Sequence, residues 1–226
     1  MTELPPYGVV ILVIWGTITA LDLVSVPQAM LSRPLVAGTV AGWLAGDIEA
    51  GLRVGVLFEC FALDVLPIGA VRYPDYGPAT VVAAALAAGA PWEFGLGIGA
   101  ALGVVLAILG GWSLQFVRRW NARAIQHRTA ALAAGESSAI RLLQYGSLMR
   151  DGLRGASLTA LGLTVAALIE AKVPLDRRTA VGLSLVAIGG ALAAAINGAI
   201  RSAGRGARLR WLVGGAGAGI LLAVLT

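Results

Sequence analysis

Long stretches without a charged residue divide this chain into hydrophobic segments. They lie at residues 5–21, 94–117, 155–169, 179–200 and 212–226. A helix rises about 1.5 Å per residue, so roughly 20 apolar residues cross a hydrocarbon core that is about 30 Å thick. The pattern predicts an all-α, polytopic membrane protein. Its long spans are expected at about 5–24, 93–117, 152–170, 179–200 and 209–225.

Between the first two long spans the hydrophobic pattern is interrupted. Short apolar segments at 34–46, 51–63 and 79–90 surround a polar, proline-rich break at residues 64–78. Short segments broken by glycine and proline indicate the binding region of a membrane transporter. Backbone that is not helical is tolerated at membrane depth only where it is buried in protein or lines a cavity. We therefore expect broken or re-entrant helices around a substrate site.

Arginine residues are concentrated between the later hydrophobic segments. Seven lie in 118–154, together with Glu136 and Asp151, and four lie in 201–210, which contains no acid. An excess of basic residues marks the cytoplasmic connections of a membrane protein. The count therefore predicts that both stretches are cytoplasmic and that the C-terminus lies outside. It leaves the side of Met1 open.

Residues 118–150 have a pattern of their own. A loose apolar stripe is interrupted at 135–138, where Ser137 or Ser138 is a suitable N-cap for a second helix. We expect an amphipathic cytoplasmic helical segment, either a hairpin lying against the membrane or a docking surface for a soluble partner. The chain then has three parts: an N-terminal membrane region with the substrate site (1–117), this segment, and C-terminal membrane helices (151–226).

The composition agrees with a membrane protein and disfavours several other classes. Hydrophobic residues make up 58% of the 226 and charged residues 13%, whereas soluble domains are about 45–50% apolar and about 25% charged. The net charge of +5 is spread between the spans, so it indicates orientation and not nucleic-acid binding. One cysteine, Cys60, and one histidine, His127, provide neither a disulfide nor a zinc site. We expect no metal, no cofactor and no enzymatic activity.

Glycines recur at four-residue spacing in the short segments. Gly38, Gly42 and Gly46 form one series, and Gly51 and Gly55 form another. On a helix each series makes a smooth face that another helix can approach closely. We expect these glycines to serve packing.

Acidic residues in and near the break are the candidates for binding. Glu59 lies within the apolar stretch 55–63, and a carboxylate at membrane depth is costly and by default marks a site or pathway. A structural ion pair with Arg53 or Arg72 is the alternative. Asp64 and Asp75 lie in the break, where Arg72 offers a positive charge that can hold an acid. Tyr73 and Tyr76 add the rings and hydroxyls that sugar sites use.

A chain of motifs runs in order over more than forty residues. It consists of Arg33-Pro34-Leu35, Gly46-Asp47, Gly51, Gly55, Glu59, Ile68-Gly69 and Pro74-Asp75. In this order the motifs resemble the IIC subunit of the mannose/fructose/sorbose family of bacterial phosphoenolpyruvate-dependent sugar phosphotransferase systems. The resemblance covers roughly residues 5–115 well and the remainder in span layout only.

The resemblance implies a multi-pass permease of the bacterial cytoplasmic membrane that translocates a sugar while partner subunits phosphorylate it. The implied partners are a IID-type membrane subunit, soluble IIA and IIB phosphocarrier subunits, a mannose-class hexose and the lipid bilayer, in an oligomeric assembly without nucleic acid. The resemblance carries over Glu59 and the loop 68–75. The predicted substrate-binding residues are Glu59, Asp64, Ile68, Gly69, Arg72 and Asp75.

Two other functions stay open. The sequence departs from the family pattern at Asp64, Pro67 and Arg72. These departures are compatible with a degenerate system in which the chain is a non-transporting membrane scaffold or sensor. An unrelated small-molecule permease is the other alternative.

Overall fold

The computed structural model describes residues 6–65, 72–90, 92–172, 176–201 and 210. These residues contain only helices as regular secondary structure, which confirms the predicted all-α class. The helices are α1 (Pro6–Val24), α2 (Pro34–Ala45), α3 (Ile48–Ala62), α4 (Tyr76–Ala88), α5 (Trp92–Gln126), α6 (Thr129–Ala133), α7 (Ser137–Lys172) and α8 (Arg177–Arg201).

Among the described residues, four helices are long and apolar enough to cross a membrane. The corresponding segments are Tyr7–Val24, Gly95–Gln126, Ser137–Lys172 and Arg177–Asn197. They confirm a polytopic membrane protein. The further span predicted at 209–225 lies, apart from residue 210, outside the described residues.

The predicted interruption of the N-terminal half is present. Helices α2, α3 and α4 contain 12, 15 and 13 residues. At about 1.5 Å per residue each is shorter than a hydrocarbon core of about 30 Å. The short helices confirm that this half is built from broken helices.

Helix α4 is the centre of the fold. All of its residues from 77 to 87 are buried, and it packs against α1, α2, α3, α5 and α7. A helix that is apolar all round is suited to burial on every side. Because α4 begins directly after the polar break, the break is held against the middle of the protein.

The spaced glycines pack α2 against α3 as an antiparallel hairpin. A Cβ built on Gly42 would lie 2.5 Å from the Cα of Gly51, and one on Gly38 would lie 2.9 Å from the Cα of Gly55. Gly46 ends α2 with a φ of 92°, and Asp47 caps α3 by accepting a hydrogen bond from the Ala50 N–H at 2.9 Å. Any larger side chain on these faces would separate the two backbones.

The segment 118–150 differs from the expectation in its connection to the membrane helices. Helices α5 and α7 contain 35 and 36 residues, and the segment consists of their two ends joined by α6. The charged boundary near residue 118 does not end α5 because arginine and alanine are strong helix formers. The interruption occurs at Gly135, which has a φ of 72°, and α7 begins at Ser137. The cytoplasmic location of this segment stays a prediction.

Candidate functional site

The C-terminal part of the polar break, residues 72–75, packs against α5. Helix α3 ends at Ala62, and the chain is not helical at 72–75, where the Asp75 N–H donates to the Ala107 carbonyl at 2.8 Å. Two glycines of α5 make room for it: a Cβ on Gly110 would lie 2.8 Å from the Asp75 Cβ, and one on Gly111 would lie 2.3 Å from the Tyr73 carbonyl oxygen. The predicted site residues Ile68 and Gly69 lie outside the described residues.

Asp75 belongs to a buried network of three charged side chains. Arg154 Nη1 donates to Asp75 Oδ2 at 2.6 Å, and Arg154 Nε donates to Asp151 Oδ1 at 2.9 Å. Ser25 donates its hydroxyl to Asp151 Oδ2 at 2.8 Å. The side chains of Arg154 and Asp75 are 5% and 0% exposed. The network joins the break to α7 and to the end of α1.

The network retains hydrogen-bonding capacity. Asp75 Oδ1 and Arg154 Nη2 are buried and have no hydrogen-bond partner among the described residues. Most buried polar atoms in proteins are paired, with protein groups or with water. Two carboxylates against one guanidinium also leave one formal negative charge in excess. A cluster of charged side chains is costly inside a membrane protein and by default indicates function.

Asp22 holds the loop between α1 and α2. Its side chain is buried and accepts hydrogen bonds from the Ala29 N–H at 2.6 Å and the Ser32 N–H at 2.8 Å. Within this loop Gln28 and Met30 have φ values of 59° and 63°. The left-handed conformation costs a residue other than glycine roughly 1–2 kcal/mol. The hydrogen bonds to Asp22 offset that cost and keep the loop beside the break.

Two cavities meet at Tyr73. The larger, of about 550 Å³, is lined by Ser25, Tyr73, Arg118, Asn121, Ser147 and Asp151 together with apolar residues. The smaller, of about 380 Å³, is lined by Asp22, Gln28, Ser32, Arg33, Tyr73, Tyr76 and neighbouring apolar residues. Both therefore carry hydroxyl and charged groups in a largely apolar protein.

Tyr73 is fixed by Arg118. The guanidinium donates to the phenol oxygen at 2.7 Å and its central carbon lies 5.2 Å from the ring centre. Burial raises the pKa of the Tyr73 phenol above its usual range, and the adjacent Arg118 only partly opposes this. The phenol is therefore neutral at ordinary pH, with a hydroxyl that can donate or accept a hydrogen bond.

Glu59 pairs with Arg33 at the start of α2. The two form an ion pair, and Glu59 Oε2 also accepts from the Leu35 N–H at 3.2 Å. A carboxylate is stabilised beside the free N–H groups of a helix N-terminus. The ion-pair alternative from the sequence named Arg53 or Arg72 as the partner. The antiparallel hairpin instead brings the end of α3 to the start of α2.

The other predicted residues have different neighbours. Arg53 pairs with Glu49 at 2.6 Å. Arg72 makes no ion pair with an acidic side chain in the described part of the chain. Its guanidinium lies 5.1 Å from the Trp112 ring centre. Asp64 accepts from Asn197 Nδ2 of α8 at 3.0 Å.

Three of the predicted site residues therefore contact different parts of the protein and do not converge on one point. Asp75 faces α5 and α7, Asp64 faces α8, and Glu59 faces the start of α2. Sequence reasoning missed Asp22, Ser25, Asp151 and Arg154 as members of a site. The only local signal was an aspartate and an arginine three residues apart where a hydrophobic run begins, and it was interpreted as orientation charge.

Comparison with known proteins gives one family for most of the chain. Residues 7–196 match the family model described as PTS system sorbose-specific IIC component. PTS denotes the phosphotransferase system. The match includes all eight helices except the last residues of α8 and the first residue of α1.

The chain is similar in sequence to IIC components that are named for three different sugars. The chain is 30% identical over 146 residues to the fructose permease IIC component of Bacillus subtilis (strain 168), covering 65% of this chain and 53% of that protein. It is 30% identical over 139 residues to the sorbose-specific EIIC component of Klebsiella pneumoniae, covering 62% and 50%. It is 33% identical over 125 residues to the mannose-specific EIIC component of Escherichia coli (strain K12), covering 55% and 46%. The chain spans about half the length of these relatives.

Two solved structures share the fold. One, described as "Structure of membrane protein", has a TM-score of 0.75 and 22% identity, covering 99% of this chain and 96% of that chain. The other, a complex of the mannose transporter ManYZ with microcin E492, has a TM-score of 0.57 and 20% identity, covering 99% and 88%. At these identities the likeness concerns the fold alone.

Proposed function

Because the chain belongs to the family of sorbose-specific IIC components of the phosphotransferase system, we propose that it is the permease subunit of a mannose-family sugar phosphotransferase system. It translocates a sugar across the bacterial cytoplasmic membrane, and partner subunits phosphorylate that sugar. The chain itself is a transport component and contributes no phosphoryl-carrying histidine.

The observation that carries this proposal is the pair of polar cavities that meet at Tyr73. They adjoin the broken-helix region, which is where transporters form binding sites. Their walls offer hydroxyl, amide, carboxylate and guanidinium groups beside an aromatic ring. Sugars present several hydroxyls on a weakly apolar ring, so this combination suits a hexose of the mannose class.

Glu59 is the principal candidate for a sugar contact, with Asp64, Ile68, Gly69, Arg72 and Asp75 as further candidates. Glu59 is supported by its partner Arg33, which lines the smaller cavity. Asp75 is supported by its link through Arg154 to Asp151, which lines the larger one. The Arg33–Glu59 pair is more accessible than the Arg154–Asp75 pair, so it can exchange one contact for a sugar hydroxyl without opening the buried interior.

The chain works with other subunits in this proposal. They are a IID-type membrane subunit and soluble IIA and IIB phosphocarriers, in an oligomeric complex. Helix α8 supports a membrane partner or lipid contact, since its side chains Leu185 and Val186 are 64% and 73% exposed. The names of the relatives, which include a fructose permease and a mannose-specific component, support the substrate class.

Sugar uptake in cells tests the proposal. A strain without its own mannose-family systems would express this chain with its IID, IIA and IIB partners, and uptake of labelled mannose, fructose and sorbose would be measured. We expect phosphoenolpyruvate-dependent uptake of at least one sugar. Glu59→Gln is expected to lower uptake by about 10-fold or more, the effect of losing a hydrogen bond to a charged group.

Glu49→Gln is the matched control. Glu49 is a second glutamate of α3 that is paired with an arginine, and its side chain is 70% exposed. Its substitution is expected to leave uptake unchanged. If the unaltered complex takes up none of the sugars, the permease function is wrong; if the two glutamine variants behave alike, only the site assignment is wrong.

A further inference from the structure

The outer face of α5 carries a row of exposed aromatic side chains. Trp112, Phe116 and Trp120 follow at four-residue intervals and are 60%, 64% and 52% exposed. Residues four apart lie on one face of a helix. The Phe116 and Trp120 rings meet edge to face with centres 6.0 Å apart. This arrangement leaves an aromatic strip that is more than half exposed, although Arg72 lies over the Trp112 ring and Arg150 over the Trp120 ring.

A cationic strip lies beside the aromatic one. A groove of about 520 Å³ is lined by Phe116, Arg119, Trp120, Arg123, Ala124 and His127. Arg119, Arg123 and His127 again follow at four-residue spacing, and the sequence has no acidic residue between 94 and 135. The groove therefore combines positive charge with exposed rings and has no neighbouring carboxylate on its own helix.

Arg150 of α7 supports the groove from behind. Its guanidinium lies 5.7 Å from the Trp120 ring centre, and its Nε donates to Asn121 Oδ1 at 2.8 Å. These contacts hold Trp120 in place while half of its surface stays exposed. The groove is thus partly organised before any ligand binds.

The groove lies where α5 leaves the hydrocarbon core. Residues 94–117 carry no charge, and their 24 residues rise about 36 Å, slightly more than the core thickness of about 30 Å. Arg118 and Arg119 are therefore the first charged residues beyond the core, at the depth of the lipid phosphates. Tryptophan is also enriched at this level of a bilayer.

We propose that this groove binds the headgroup of an anionic phospholipid. The phosphate lies between Arg119 and Arg123, because guanidinium groups match phosphate oxygens with paired hydrogen bonds. The acyl chains lie along Phe116 and Trp112. A lipid explains the position of the aromatic strip better than a soluble acidic protein does, because the strip continues into the membrane-embedded part of α5, which a soluble partner does not reach.

Brominated lipids test this proposal, because bromine quenches tryptophan fluorescence on contact. The full chain would be reconstituted in phosphatidylcholine vesicles containing increasing fractions of brominated phosphatidylglycerol, and separately of brominated phosphatidylcholine. The Trp120 signal is the fluorescence that the Trp120→Phe variant lacks. We expect half-maximal quenching at about a 25-fold lower fraction of brominated phosphatidylglycerol, since an arginine near an anionic surface contributes about fivefold.

The double variant Arg119→Gln and Arg123→Gln is expected to lose this preference. Its matched control is Arg128→Gln with Arg141→Gln, which removes the same charge from exposed positions that do not line the groove. The control is expected to keep the preference. Equal quenching by both lipids in the unaltered chain, or equal losses in both double variants, would overturn the proposal.

Soluble competitors separate the possible ligands. Glycerol 3-phosphate at millimolar concentration is expected to leave the preference unchanged, because it lacks the acyl chains that contact Phe116. Displacement of the brominated lipid by glycerol 3-phosphate would show a site for free phosphate esters. Displacement by an acidic peptide would show a protein-docking surface, and either result contradicts the lipid site.

Discussion

Two arginine–carboxylate pairs lie near the polar break, and they differ mainly in burial. The side chains of Arg33 and Glu59 are 47% and 19% exposed, whereas those of Arg154 and Asp75 are 5% and 0% exposed. An exposed pair contributes about 0–1 kcal/mol. Removing one partner of a buried pair costs about 3–5 kcal/mol, because the other charge is left uncompensated. The same chemistry therefore serves two purposes.

We interpret the buried pair as a structural framework and the more accessible pair as one that can change partners. Arg154 ties the break, through Asp75, to Asp151 and to the Ser25 hydroxyl at the end of α1. Glu59 instead adjoins a cavity through Arg33. The deeper acid is therefore the less suited of the two to release and rebind a ligand in the transport cycle that we propose.

The largest expected effect comes from breaking the buried pair. Arg154→Ala leaves Asp75 and Asp151 buried without their cation, so the free energy of unfolding in detergent should fall by about 3–5 kcal/mol. Arg33→Ala should lower it by at most about 1 kcal/mol. Thermal unfolding followed by tryptophan fluorescence measures both.

A triple variant that removes all three charges tests whether the loss of stability comes from the uncompensated charge. Combining Arg154→Met with Asp75→Asn and Asp151→Asn removes all three charges, and much of the lost stability should return, because a buried ion pair replaced as a whole is often neutral. If Arg33→Ala destabilises as much as Arg154→Ala, the contrast between the two pairs does not hold.

A smaller effect is expected from the hairpin that carries the exposed pair. Gly42→Ala places a Cβ 2.5 Å from the Gly51 Cα, so α2 and α3 must separate and stability should fall by about 1–3 kcal/mol. Gly182→Ala is the control, since a Cβ there meets nothing within 4 Å. It should be neutral or stabilising by up to about 1 kcal/mol. The unfolding temperature of Gly42→Ala should lie below that of Gly182→Ala, and the reverse order would contradict the close packing of α2 against α3.

Ser25→Ala sharpens the role of the framework. The change removes one hydrogen bond to Asp151 but leaves the ion pair with Arg154 in place. We expect a loss of about 1 kcal/mol, measured by the same unfolding assay. In the background of Asp151→Asn the loss should shrink, and an unchanged loss there would show that Ser25 acts through other contacts.

The smallest effect on stability is expected for Glu59→Gln. The exposed pair loses its charge but a hydrogen bond to Arg33 is still possible, so unfolding should change by less than about 1 kcal/mol. Uptake, in contrast, should fall as proposed above. If the loss of uptake were accompanied by a comparable loss of stability, Glu59 would have a structural role and not a binding role.

Several features were predictable because they are local. The spans of α1, α5, α7 and α8 follow from uncharged runs. The glycines four residues apart predicted close helix packing, and the structure shows it between α2 and α3, which are joined by a short turn at Gly46 and Asp47. The ordered motifs from Arg33 to Asp75 indicated the family that matches residues 7–196. The continuity of α5 through residue 118 was not predicted, because charge marks the membrane boundary and not a helix end.

The partners of the charged residues were not predictable in the same way. Asp75 and Arg154 are 79 residues apart, and Glu59 pairs with Arg33 rather than with the nearer Arg53 or Arg72. Arg72 lies over Trp112. The sequence by itself determined a helical membrane protein, its broken half and its family, since hydropathy and motif order are properties of neighbouring residues. Only the tertiary structure decided which acid is fully buried and which is partly exposed, because ion pairing depends on distance through space and its free energy depends on burial.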